Sequence, residues 1–269
     1  MKFFRDWQAW HDLVNRVPRV SNQYSTNLYA DQAQLARWGE KGRLRVEAIE
    51  GAVLLLRRDR DFDHVYHVAR DLPALQQALE ALPPGRYAAD LIGRDDARHH
   101  DLCSAYRAAG FDPRTHLRRM IRKRAAFSLP QGNTAVATMA DVKCIAAFLD
   151  RLLDRFVEQV PEPDELHEAV SGERLLLVRG SSGPTGVLMY DLTGQLAHLR
   201  FWHVDPQSRG AGIGRRLMAD FLSRCRAAAR TVLWVIGDNE RSIAIYRHYG
   251  FEMDSLLDHI MVRNEDQRR

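Results

Sequence analysis

Along the 269 residues, apolar positions switch back and forth between a spacing of three to four and a spacing of two, which predicts helices interleaved with strands. Phe3, Phe4, Trp7, Trp10, Leu13 and Val14 fall on one helical face, and a second helix is expected over 31–38, with Asp31 as N-cap and Gly39 ending it. Runs at 44–49 and 53–57 read as strands about a Glu50-Gly51 turn, and 64–69 reads as a third. A helix over 72–82 stops at Pro83-Pro84-Gly85, and 86–92 returns to strand.

The second half repeats this alternation. Val142, Ile145, Ala146, Leu149, Leu152, Leu153 and Phe156 form one stripe of a strongly amphipathic helix over 139–156. A Pro-Glu-Pro-Asp break at 161–164 precedes a short helix, with Asp164 as its expected N-cap. Three strands are expected over 174–179, 185–192 and 195–204. A helix over 215–228, a strand over 231–236, a helix from 239 and a closing strand region over 252–262 follow.

The two halves also match in register. A-Y-R-A-A-G-F at 105–111 repeats I-Y-R-H-Y-G-F at 245–251, so that Tyr106 aligns with Tyr246, Gly110 with Gly250 and Phe111 with Phe251, and Leu117 and Met120 fall opposite Leu257 and Ile260. The Pro, Gly and Asn of F-S-L-P-Q-G-N-T mark 127–134 as a linker between domains at 1–126 and 135–269.

One stretch breaks the repeat. Residues 204–217 read V-D-P-Q-S-R-G-A-G-I-G-R-R-L, with Gly210, Gly212 and Gly214 at alternate positions between an expected strand and an expected helix. Such a loop can bring backbone N–H groups against a phosphate at a helix N-terminus. A tight turn is the plainer reading. The Walker and Rossmann spacings are both missed. At the matching place the first half has A-R-D-L-P-A-L at 69–75, without a glycine, with Pro73 removing an N–H and Asp71 opposing an anion.

Arg209, Gly212 and Gly214, preceded by Val204 and Pro206, resemble the pyrophosphate loop of the GNAT superfamily of acyl-CoA N-acyltransferases. N-E-R-S-I-A-I-Y-R-H-Y-G-F at 239–251 resembles a second motif of that family, with Ser242 where Ala is common. The resemblance implies an α/β (α+β) fold of two tandem GNAT-like domains, each a mixed, mostly antiparallel sheet flanked by helices, the first a degenerate copy without the loop. It further implies acetyl-CoA or another acyl-CoA as co-substrate and transfer to a small amine by direct attack in a ternary complex. The cofactor-binding residues it indicates are Trp202, Val204, Arg209, Gly210, Ala211, Gly212, Ile213, Gly214, Arg215, Asn239 and Tyr246. A backbone N–H near 202–204 would polarise the thioester carbonyl.

Tyr246 is the acid that the resemblance indicates, its phenol protonated at neutral pH with a reference pKa of about 10; packing against a helix edge is its plainer role. Tyr106 is expected to be structural. For the base, strand alternation places His198, Arg200, Trp202 and Val204 on one face and Leu199, Phe201 and His203 on the other. His198 is the candidate, where family members carry a Glu or a His, with a water relay or Asp205 as alternatives.

Composition changes this picture little. Apolar content of 45% fits a globular chain, and 39 Lys+Arg against 35 Asp+Glu give +4, compatible with a polyanionic CoA. Cys103, Cys144 and Cys225 lack disulfide or zinc spacing, and His99 and His100 are read as helix surface, so no metal is expected. No apolar run is long enough for a membrane span, and the expected setting is cytoplasmic. The run R-R-M-I-R-K-R at 118–124 is read as a solvated strand edge. As a dock it would suit an acyl carrier protein or tRNA, which keeps an aminoacyl-tRNA-dependent transferase open beside a non-catalytic CoA-binding regulator.

Overall fold

The structure, a computed structural model, describes residues 2–3, 7–19, 23–123, 132–181 and 183–264. In chain order the elements are β1 (Lys2–Phe3), α1 (Trp7–Asn15), β2 (Ser25–Thr26), α2 (Gln32–Glu40), β3 (Leu44–Ile49), β4 (Ala52–Asp59), β5 (Phe62–Ala69), α3 (Leu72–Glu80), β6 (Tyr87–Arg94), α4 (Ala97–Ala108) and β7 (Asp112–Lys123). There follow β8 (Ala135–Val136), α5 (Val142–Leu152), α6 (Pro163–Ser171), β9 (Leu175–Gly180), β10 (Gly183–Thr193), β11 (Leu196–Val204), α7 (Ile213–Arg224), β12 (Arg230–Ile236), α8 (Glu240–His248) and β13 (Glu252–Arg263). The mixed, mostly antiparallel sheets flanked by helices agree with the expected fold class.

The compact units are not the two halves of the sequence. One comprises Met1–Leu117 with Ser255–Arg269, and the other Arg118–Asp254. The expected boundaries of 1–126 and 135–269 miss this because β13 pairs antiparallel with β6 from Leu256 opposite Arg94 to Arg263 opposite Tyr87. Eight consecutive cross-strand pairs outweigh closeness along the chain, since an unpaired β6 edge would leave a row of backbone groups unsatisfied. Of the expected linker, residues 127–131 lie outside the described residues. Gly132 and Thr134 donate their backbone N–H groups to Asp220 on α7, each at 2.7 Å.

In the first unit the strands run β1-β3-β4-β5-β6-β13, with β2 added to β5. Alternation along β4 sends Leu54 and Leu56 into a core with Leu75, Leu79, Tyr106 and Phe111, and Val53 and Leu55 into another with Trp10, Trp38 and Tyr66. Asp71 caps α3 by accepting from Ala74 N, and Asp96 caps α4 by accepting from His99 N. The first helix begins only at Trp7: Lys2–Phe3 is a strand paired with β3, and Phe4 lies outside the described residues.

β5 and β6 run parallel but pair only at Asp63↔Tyr87 and His64↔Ala88. Beyond those pairs Asn27, 1% exposed, takes up the backbone groups: its Nδ2 donates to Val65 O at 3.0 Å and Asp90 O at 3.1 Å, and its Oδ1 accepts from His67 N at 2.6 Å. Tyr29 donates from its hydroxyl to Ile92 O, and Thr26 to His67 O. The gap between these two strands is filled by the chain itself.

In the second unit the order is β12-β11-β10-β9-β8. Leu217, Phe221, Leu222 and Ile243 pack on one face with Leu188 and Leu199, and Ile145, Leu149, Leu166 and Val170 pack on the other with Val187 and Phe201. The amphipathic helix is shorter than its stripe. A turn of 3₁₀ helix precedes Val142, and the backbone becomes extended at Leu153, so Phe156 leaves the helix and the chain is carried on to Glu158.

Candidate active site

β11 and β12 pair in parallel from Leu196↔Arg230 to Leu199↔Leu233, and the register goes no further. Beside that point Tyr190 of β10 faces Leu199 while Met189 faces Phe201, so Arg200 is an extra residue, a β-bulge. A bulge bends its strand and interrupts pairing, which is how β11 departs from β12. The bulge also reverses the expected alternation. Ala197 and Leu199 lie in the same core that Trp202 and Val204 pack against, while Phe201 lies in the opposite one. His198 is therefore on the face away from Trp202, because one inserted residue flips every side chain after it.

At the end of β11 the chain passes through a 3₁₀ turn and enters α7. Gly212 is the N-cap residue of α7, left-handed at φ 72° and without a side-chain cap, and a Cβ built there meets nothing within 4 Å. The first N–H groups of this twelve-residue helix have no intrahelical partner and no side-chain cap, and the positive end of the helix lies behind them. Gly214 lies close against the Trp202 ring, where an added Cβ would stand 3.2 Å from the indole.

A cavity of about 780 Å³ joins this loop to the opening between β11 and β12. Arg209, Gly210, Gly212, Ile213 and Gly214 line one end, and Trp202, His203 and Val204 line the middle, opposite Trp234 and Ile236 of β12. Asn239, the N-cap of α8, and Ile245 and Tyr246 on that helix border it, as do Leu152 at the end of α5 and Glu158 in the chain beyond. The Trp202 and Tyr246 ring centroids are 5.5 Å apart. The buried indole N–H of Trp202 has no hydrogen-bond partner among the described residues.

The acetyltransferase (GNAT) family matches residues 146–251, which hold the bulged strand, the glycine loop and Tyr246. That segment is a GNAT domain. An uncharacterized protein of Mycobacterium leprae (strain TN) is 49% identical over 49 residues, which are 18% of this chain and 13% of that protein, so the chain spans a small part of the curated relative it matches. Among solved structures, a GCN5-related N-acetyltransferase from Sphaerobacter thermophilus superposes with a TM-score of 0.58 at 13% identity, over 87% of this chain and 86% of that one. A tandem GNAT protein from the clavulanic acid biosynthesis pathway superposes with a TM-score of 0.55 at 13% identity, over 80% and 79%. At such identities these two likenesses speak to fold.

Within the GNAT segment the expected residues separate. Trp202, Val204, Arg209, Gly210, Gly212, Ile213, Gly214, Asn239 and Tyr246 border one cavity, whereas Ala211, Arg215, His198 and Asp205 are not among its lining. Asn239 also caps α8, its side chain accepting from Ser242 N at 3.1 Å. Burial and the neighbouring Arg200 pull the His198 ring down to about 4. The Asp205 carboxylate is held below its ordinary range by the Arg151 guanidinium at 2.6 Å and by Gln207 N. Both are poor bases for a neutral-pH reaction.

Glu158 carries the opposite shift. Burial raises its carboxyl from 4.5 to about 7, so it changes protonation near neutrality inside the cavity. Its Oε1 lies 3.7 Å from Nε2 of His203, a ring that burial and Arg209 keep neutral at a pKa of about 4. Tyr246 is raised above the ordinary phenol value by burial and by the Glu158 carboxylate, which keeps its proton in place. Sequence reading passed over Glu158. The available signal was a lone carboxylate between the buried Val157 and Val160.

Proposed function

We propose that the protein transfers an acyl group from an acyl-CoA, with acetyl-CoA as the expected donor, to the amine of a small molecule by direct attack in a ternary complex. The observation that carries this reading is the single cavity running from the α7 N-terminus to the gap between β11 and β12, with a titrating carboxylate and a protonated phenol on its wall. An open cradle at Gly212 and the unsatisfied Trp202 N–H fit a bulky polyanionic thioester. Such a donor supplies an activated acyl carbon and a thiolate leaving group.

The chain's own residues divide the remaining work. The N–H groups of the loop, with Arg209, hold the pyrophosphate. Backbone N–H groups of β11 beyond the bulge, freed from pairing with β12, polarise the acyl carbonyl. Glu158 takes a proton from the acceptor ammonium, and Tyr246 returns one to the sulfur as the C–S bond breaks and the C–N bond forms. Glu158 replaces His198 in this reading on grounds of position and pKa. The first unit is proposed to be a degenerate copy that binds no CoA.

Within the basic run 118–124, Arg119 is paired with Asp254 and Arg122 donates to Tyr249 O at 3.0 Å, which lessens the charge free to dock a tRNA or a carrier protein. Mass-spectrometric detection of acylated products, with the full chain, acetyl-CoA, longer acyl-CoAs and a panel of amines, tests the proposal. Acylation of an amine is expected. CoA binding without turnover would leave a regulator, and no CoA binding at all would remove the reading.

A further inference from the structure

We propose that His99, Cys103 and His259, in the first unit, form a binding site for a divalent transition metal, zinc by the chemistry of its donors. His99 and Cys103 stand four residues apart on α4 and so share one face of that helix. β13 brings His259 to them. Nε2 of His99 lies 2.8 Å from Nδ1 of His259 and 3.8 Å from Sγ of Cys103, and the three donor atoms all fall within 4.8 Å of one another. Tetrahedral zinc, with bonds of about 2.0–2.1 Å to nitrogen and 2.3 Å to sulfur, requires nitrogen–nitrogen and nitrogen–sulfur separations of about 3.3–3.6 Å. The two nitrogens need to part by about half an ångström, and the sulfur to approach His99 by about a quarter of an ångström and His259 by about 1.2 Å at most, which side-chain rotations supply.

A hydrogen bond between two neutral imidazoles accounts for the ring pair, and a weak one between the thiol and His99 Nε2 for the sulfur. Neither accounts for the seat of the His99 ring. His99 is 4% exposed, not on the helix surface, and lies over Gly93 of β6, where an added Cβ would stand 2.3 Å from Nδ1. The strand has no side chain at the point where this ring needs the room. Coordination must release the Cys103 thiol proton to solvent and set both imidazoles in the tautomers whose facing nitrogens carry lone pairs. His116, its ring centroid 5.9 Å from that of His259, is one candidate for a fourth ligand. His99 also borders a cavity of about 700 Å³ whose wall carries Asp71, Asp96 and Asp101 together with Arg94 and Arg98, which gives access from outside.

The full chain, stripped with chelator and repurified, is titrated with Co²⁺ as a spectroscopic substitute for zinc. One Co²⁺ per chain, tetrahedral visible bands, a thiolate-to-cobalt charge-transfer band and displacement by Zn²⁺ are expected. His259→Ala and Cys103→Ser should each lower affinity by at least about a hundredfold, whereas Cys144→Ser, at the exposed thiol, should leave the spectrum unchanged. If Cys103→Ser does not fold, the wild-type spectrum and His259→Ala decide. A folded wild-type chain without the charge-transfer band, or a band that disappears with Cys144, overturns the site.

Discussion

The parallel strand pair β5/β6 of the first unit and the pair β11/β12 of the second both stop hydrogen bonding part-way along, and what occupies the gap differs. In β11/β12 the gap opens into a cavity beneath a glycine loop. In β5/β6 it holds Asn27, whose amide satisfies two carbonyls and one N–H of the separated strands. Separated strands leave backbone groups that must find partners. One unit supplies them from its own chain, and the other leaves them beside an open cavity. The same local topology thus gives a bridged gap or an open one, depending on a handful of side chains.

This contrast is broken most directly at Gly212. Calorimetric titration of the full chain with CoA should give one site, and Gly212→Val should reduce it to none, since a β-branched residue at φ 72° is strained and its Cβ stands in the cradle. Two sites, or tight binding by the folded variant, would show the units to be equivalent.

Glu158→Gln should lower kcat/KM by about a thousandfold and remove the rising limb of the rate profile near pH 7. Its stability carries a second readout. A carboxyl whose folded pKa is raised favours the fold below pH 4.5, and that contribution is lost as pH rises through about 7. The variant should therefore be more stable than the parent at pH 8 than at pH 5, by about 3 kcal/mol at most. An unchanged profile with unchanged stability differences would return the base to a water relay.

Tyr246→Phe should lower kcat by about a hundredfold with CoA affinity kept, as measured by paired kinetics and calorimetry. Full activity would leave the ring as packing against Trp202. The smallest effect is expected in the first unit. Asn27→Ala leaves Val65 O, Asp90 O and His67 N without their partner and should cost about 1–3 kcal/mol in urea unfolding, while CoA stoichiometry stays at one. A second CoA in that variant would show that Asn27 alone separates the units.

Much of this arrangement is legible along the chain because it depends on short-range rules. Gly212 and Gly214, the Asp31 cap and the apolar stripe of α5 each follow from local geometry, and the Tyr106 and Tyr246 repeat marks matching places in the two halves. What escapes is set by partners distant in sequence. The Arg200 bulge exists only relative to Tyr190 and Met189, and it alone moves His198 off the cavity face. Glu158 gains its raised pKa from burial that no window of sequence displays. His99 looks like surface until β13 brings His259 beside it.

The pairing of β13 with β6 also sets an order in time. Synthesis proceeds from the N-terminus, and domains fold as their residues become available. The second unit has all its residues once Asp254 has emerged, whereas the first, begun earlier, still lacks the strand from Ser255 that closes its β6 edge. The first unit to be started is the last that can be completed. Until then its exposed strand edge is the part of the nascent chain most in need of shelter from aggregation.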